Sequence, residues 1–238
     1  MSEYQYKPLS ANHIRLIELR PDLDGNAPVR CQLLEYPIHI REIGSHTYDA
    51  LSYVWGPPPN TCHIEVVEGS ECSVLSIREN CHAALVRLRD PILPRFVWVD
   101  SICINQEDNK EKTQQFRMMT GIYALAGRVV VWLREPPHEV GSIMDNGRGL
   151  EFIRRAAEHC AWSTTITDHD INLKLEPQDA KDITIVLKRS WFRRIWVSVI
   201  ISVLISMGPL SCPVVYQHVV GVARSCCGSR GCHDGRPS

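Results

Sequence analysis

The chain has 238 residues, 44% of them hydrophobic, a size and composition that suit one α/β domain, or one domain with a tail. Its 26 basic and 27 acidic residues leave a formal charge of -1, so it carries no electrostatic footprint for nucleic acid or for an acidic membrane surface. Residues 1–10 lack the apolar stretch of a secretory leader, and the ten cysteines sit largely inside apolar segments; together these read as reduced thiols in a cytoplasmic protein.

Taken in order, residues 13–19 read as a strand, stopped by the turn chemistry of Pro21-Asp-Leu-Asp-Gly25, and residues 29–36 read as the returning strand. This predicts an N-terminal β-hairpin region over residues 1–47, lying at a sheet edge. Residues 48–56, Tyr-Asp-Ala-Leu-Ser-Tyr-Val-Trp-Gly, are a strand that must end at Gly56 and the three prolines behind it. Trp55 and Gly56 fit a core anchor and a turn better than a direct role in a site. Residues 63–67 and 72–75 flank Glu68-Gly-Ser70 as a second hairpin. The period then becomes helical, with Ile77, Cys81, Ala84, Leu85 and Leu88 on one face and Ser76 with Glu79 as a capping box.

The most informative stretch is residues 96–108, Phe-Val-Trp-Val-Asp-Ser-Ile-Cys-Ile-Asn-Gln-Glu-Asp. It reads as a buried strand delivering Asp100 into a polar loop. A helix follows over residues 109–126, with Phe116, Met119, Tyr123 and Ala126 on its apolar face and Gly127 as C-cap. Residues 128–133 form an apolar strand of the kind buried on both faces, so strand, helix and strand make a right-handed parallel βαβ crossover. The loop after such a strand is where open α/β sheets bind ligands. The fold class is therefore α/β: a mixed sheet with a parallel βαβ core flanked by helices, plus the N-terminal hairpin.

Beyond that core, residues 136–149 read as a loop, 150–160 and 177–187 as helices, and 163–170 as a polar connection. Trp191-Phe-Arg-Arg-Ile-Trp196 reads as aromatic anchors packed on the core with two cations. Ser198 opens an apolar run to Met207, followed by a Cys-, Gly- and Arg-containing tail. The apolar stretch is shorter than the roughly 20 residues that span a bilayer. Cys212, Cys226, Cys227 and Cys232 with His218 and His233 fit no zinc-site spacing. His46, His63 and His82 have no nucleophile at a recognisable spacing, and residues 141–149 lack the ending of a phosphate loop. No metal, cofactor or nucleic-acid site is assigned.

Three blocks, residues 48–56 (YDALSYVWG), residues 96–106 continuing through Glu111, Gln115, Ile122, Tyr123, Trp132 and Leu133, and residues 191–197 (WFRRIWV), resemble in order and spacing the HET domain of fungal heterokaryon-incompatibility proteins. The resemblance covers residues 48–197. It implies an effector or interaction module of fungal non-self recognition and programmed cell death, an innate-immunity role, working through self-association or a signalling partner. It also implies a distant likeness to TIR domains, α/β folds that in some cases cleave NAD. For such an NAD hydrolase the candidate catalytic residues are Asp100, Asn105, Gln106, Asp108 and Glu111, because one placed carboxylate with groups orienting ribose hydroxyls suffices to stabilise charge on a ribosyl carbon. The alternative roles for these residues are loop caps and backbone partners.

The sequence departs from the family after Val197, where members continue with a Gln-Glu pair. Val197-Ser198 is also the dipeptide encoded by an in-frame splice-donor consensus. Residues 198–238 are therefore expected to be intron-derived and the HET domain truncated, or else to make the chain an inactive or regulatory variant.

Overall fold

The computed structural model describes residues 1–38, 48–133, 151, 177–188, 190–193 and 214–217. The expected loop at 136–149, the expected helix over 150–160 apart from residue 151, the polar connection at 163–170, the apolar run after Ser198 and the cysteine- and histidine-containing tail outside 214–217 lie outside the described residues, as does His46.

The elements in order are β1 (Ser2–Glu3), β2 (His13–Leu19), β3 (Arg30–Pro37), β4 (Asp49–Tyr53), β5 (Cys62–Glu68), β6 (Glu71–Ile77), α1 (Glu79–Leu88), β7 (Arg95–Val99), α2 (Asp100–Cys103), α3 (Asn109–Leu125), β8 (Arg128–Trp132), α4 (Pro177–Leu187), a 3-10 turn (Ser190–Arg193) and β9 (Val214–Gln217). Among the described residues, nine strands form one mixed sheet in the order β1-β6-β5-β3-β2-β7-β4-β8-β9. The α/β class and both hairpins stand as read. The turn of the second hairpin places Gly69 at φ +60, a conformation that glycine adopts without a Cβ penalty.

The first hairpin is not at an edge. β2 pairs antiparallel with β3 on one side and with β7 on the other, Ile17 opposite Val97. Its burial explains why: Ile14, Arg15, Leu16 and Ile17 are all buried in succession, the signature of an interior strand rather than of a half-solvated one. Arg15 and Glu18 simulate alternation in the sequence, but Arg15 is turned inward.

The parallel core also differs in one respect. β7 and β8 run in the same direction, as the crossover requires, but β4 lies between them and pairs parallel with both. Asp49 and its chain neighbours thus form the central strand, buried at all five positions. At its start Asp49 receives Arg95 Nε at 2.6 Å, Arg128 Nε at 2.8 Å and Arg128 Nη2 at 2.9 Å, so one buried carboxylate joins the three strands.

The two helices of this core lie on opposite faces. Trp98 meets Tyr123 of α3 edge-to-face at 5.6 Å, and the Tyr48 hydroxyl donates to the Ile122 carbonyl of α3 at 2.6 Å. On the other face Trp132 Nε1 donates to Asn80 of α1 at 3.0 Å, and Tyr53 and Cys81 both reach Ser101. α3 begins one residue after Asp108, as read, but its buried stripe is Glu111, Gln115, Met119, Ile122 and Tyr123, and Phe116 points outward. α1 starts at Glu79 with Arg78 as N-cap and no side-chain cap bond. Ser76 is still in β6, its hydroxyl facing His63 Nδ1 at 3.2 Å, so the capping box does not form. Gly127 is displaced from C-cap duty by Ala126, and its N–H donates to the Tyr48 carbonyl at 2.9 Å.

Candidate functional site

β4 lies between β7 and β8 and pairs parallel with both. From β4 it proceeds by way of α1 to β7, and from β7 it crosses back over β4 through α3 to β8 on the far side. The loops at the carboxyl ends of strands are where open α/β sheets bind ligands, and those after β4 and β7 lie side by side on paired strands.

The side chains there interlock. Trp55, just beyond β4, donates its indole N–H to both oxygens of Asp100, just beyond β7, at 2.9 and 3.0 Å. The Arg78 guanidinium lies 5.3 Å over the Trp55 ring and donates to the Gly56 carbonyl at 2.6 Å. Gly56 has φ +78, which turns the chain away from the strand and aims that carbonyl at Arg78. This is why β4 stops at Tyr53, three residues before the glycine. The Val54 carbonyl is taken by the Asn80 amide, and Asn80 in turn accepts from Trp132. Tyr53 donates to Ser101 Oγ at 2.6 Å, and burial raises its phenol well above the ordinary range. Burial likewise pushes the Cys81 thiol up to about 12, so it stays protonated at neutral pH. Trp191, from the third sequence block, donates to Ser52 Oγ at 2.9 Å, as a core anchor.

Of the five sequence-derived candidates, Asp100 opens the short helix α2 where the sequence predicts loop, Asn105, Gln106 and Asp108 lie in the loop behind it, and Glu111 is in the first turn of α3. One oxygen of Glu111 accepts Arg15 Nη1 at 2.5 Å and the Asn105 N–H at 2.7 Å; the other accepts Arg15 Nη2 at 3.0 Å. Arg15 also donates to the Cys103 and Lys7 carbonyls and lies over the Tyr6 ring. Asp108 caps α3 by accepting from the N–H groups of Lys110 and Glu111 at 2.8 and 3.2 Å. Gln106 Nε2 donates to the Asp100 and Ile104 carbonyls, and Asn105 Oδ1 accepts from the Glu107 N–H. The structure brings all five together in sequence, and each is bonded to the chain's own backbone or side chains. On the outer side of this loop, Asn105, Glu107, Asp108, Asn109 and Lys110 line a shallow, open depression of about 580 Å³.

The residues missed from the sequence are Arg15, Asp49, Ser52, Arg78 and Asn80. A basic residue directly before a helix and a charge inside an apolar strand were the available signals. Among the described residues no group of three or more His, Cys, Asp or Glu is placed to hold a metal ion. Among them, too, no helix is long and apolar enough to cross a membrane.

The heterokaryon incompatibility protein (HET) family model matches residues 48–199. The chain belongs to the HET family. Heterokaryon incompatibility protein 6, OR allele, of Neurospora crassa is 31% identical over 215 residues, covering 78% of this chain. This chain spans 31% of the length of that relative. No solved structure matches it. In structural terms, the three blocks that carry the HET resemblance are joined by two indole bonds, Trp55 to Asp100 and Trp191 to Ser52.

Proposed function

We propose that this HET-family chain is a cytoplasmic effector module of fungal non-self recognition, whose self-association or docking to a signalling partner triggers programmed cell death. The observation that carries this reading is how the family's side chains are used. Trp55, Asp100, Gln106, Asp108, Glu111 and Trp191 are engaged in bonds that interlock strand ends, loop and helix start. A surface held in this way is preorganised for recognition, since little conformational freedom remains to be lost on binding.

The NAD-cleaving alternative draws less support from the same geometry. A carboxylate that stabilises a ribosyl cation must face it. Both oxygens of Asp100 face the Trp55 indole, Asp108 caps a helix, and Glu111 is buried against Arg15.

The test is induced expression of the full chain in a fungal host, scored by viability. Wild type is expected to kill, and so is Asp100→Asn, which keeps an acceptor for Trp55 while removing the charge. A wild-type chain that leaves viability intact would overturn the reading. Loss of killing in a folded Asp100→Asn protein would shift it to the enzymatic one.

A further inference from the structure

We infer that residues 2–7 are a regulatory strap: seated, they lock the segment from Ile102 to Glu111 in the form that recognises a partner, and lifted, they loosen it. This rests on the effector-module reading and names how its surface is controlled. The strap is an extended segment whose side chains alternate, Tyr4 and Tyr6 turned toward the protein and Glu3, Gln5 and Lys7 exposed. Its outer end is held lightly. β1 adds two residues to the edge of β6, extended by the Tyr4 N–H to the Val74 carbonyl at 2.9 Å, and Lys7 pairs with Glu68 from a side chain that is 74% exposed. An ion pair in that much water contributes little. Beyond the strap the chain is fixed again at the Ser10 N–H, which Glu35 accepts at 2.7 Å, leaving residues 8 and 9 between the two as the hinge.

The inner end reaches the candidate site itself. Tyr4 is buried, and its ring meets that of Tyr6 edge-to-face at 5.2 Å. The Tyr6 hydroxyl donates to the Ile102 carbonyl of α2 at 2.9 Å. β7, which leads into α2, is four places from β6 in the strand order, so the strap runs from the sheet edge to the interior. Arg15 makes a second link. Its guanidinium lies 5.0 Å over the Tyr6 ring and donates to the Lys7 carbonyl on one side, and to the Cys103 carbonyl and Glu111 on the other. Glu111 in turn accepts the Asn105 N–H at 2.7 Å. Strap and loop therefore share one cation. Lifting Tyr6 and Lys7 away admits water to Arg15, which weakens its hold on Glu111 and with it the hold on the Asn105 amide. A segment with few buried contacts at its outer end opens at lower cost than the core does.

The test is native-state amide exchange on the full chain. In wild type the Tyr4 and Asn105 amides are expected to show matching protection, below that of Val130 in the core strand β8. Tyr6→Phe keeps both ring contacts and removes the bond to Ile102. Exchange at Tyr4 and Asn105 should quicken about fivefold, the effect of losing one hydrogen bond of ordinary strength, while the Ala27 amide in the β2–β3 turn keeps its rate. Coupling of this kind is reciprocal, so Glu111→Gln, which slackens Arg15 from the loop side, should quicken Tyr4 as well. Protection of Asn105 equal to that of Val130 would overturn the inference, because the loop would then open only with the whole chain. So would an unchanged rate at Asn105 in Tyr6→Phe, or at Tyr4 in Glu111→Gln. In the fungal host Tyr6→Phe is expected to need about fivefold more induced protein than wild type for the same loss of viability. Equal killing by the two, with Asn105 exchange faster in the variant, would sink the regulatory role and leave the effector reading standing. A wild-type chain that does not kill overturns the effector reading itself, whatever the exchange shows.

Discussion

Arg15 and Glu111 show how much one buried pair can organise. Their side chains are 4 and 8% exposed, and between them they hold β2, the start of α3, the Asn105 amide and the Cys103 carbonyl. Removing one partner of such a pair leaves an uncompensated buried charge, a loss of about 3–5 kcal/mol. Arg15→Ala should therefore lower unfolding free energy by that amount in urea titration; a change below about 1 kcal/mol would show the pair to be solvated. The thiols offer a second check at this scale. Cys31 and Cys81 are pushed up to about 12 by burial, and Cys103 is raised and buried too. Only the thiolate alkylates, so peptide mapping after iodoacetamide at neutral pH should find these three protected until the chain is unfolded, and half-exposed Cys62 and Cys72 modified first. Prompt alkylation of Cys81 in the folded protein would contradict the packing of α1 on Tyr53. The reading of the cysteines as reduced thiols within apolar segments needed only their apolar neighbours, and Cys31, Cys81 and Cys103 are buried. Arg15 was illegible because nothing local says where its charge goes; its partner lies 96 residues away.

At the scale of elements, the ends of β4 and β7 are set by side chains rather than by strand propensity. Trp55 bridges to Asp100, so Trp55→Phe keeps the ring beneath Arg78 and removes the indole bond. About 1–2 kcal/mol of stability should be lost, with faster amide exchange over residues 54–56 and 100–106. Unchanged exchange there would show that the bridge does not hold the loop. Asp49→Ala strips Arg95 and Arg128 of their common partner, and a loss of about 2 kcal/mol is expected by the same measurement; an effect within 0.5 kcal/mol would assign the strand junction to backbone pairing alone. The types and order of β2 to β8, α1 and α3 were legible, from period-2 and period-3.6 patterning with glycine and proline between, whereas the short β1, α2 and β9 were not. Their ends were less so. Ser76 looked like a cap because Glu79 follows it, yet the strand pairing of Ser76 with His63 takes precedence over the local motif. Phe116 looked like core because it is aromatic, while the buried face of α3 begins with Glu111 and Gln115, whose partners are Arg15 and the His13 carbonyl.

For the whole molecule, the sheet is continuous from β1 to β9, and β2 covers the edge of β7. A chain beginning at Tyr48, where the family match starts, would expose that edge and the apolar faces of Val97 and Val99. It is expected to aggregate or to melt without a cooperative transition, whereas soluble cooperative folding of residues 48–197 would make the hairpin dispensable. The insertion of β4 between β7 and β8 was not legible, because sequence order fixes which strands are parallel and not which are neighbours. Residues 198–238, proposed to be intron-derived from the Val197-Ser198 dipeptide, include β9. Sequencing the transcript across codons 195–213 should show removal of an intron; reads continuous through Val197 would make the segment part of the native protein.

The most direct test of the effector reading is to follow viability and total cellular NAD together after inducing the full chain in a fungal host. Death with NAD held at its initial level until viability is lost is the expected result. A fall in NAD that precedes death, or NAD cleavage by the purified chain, would contradict it.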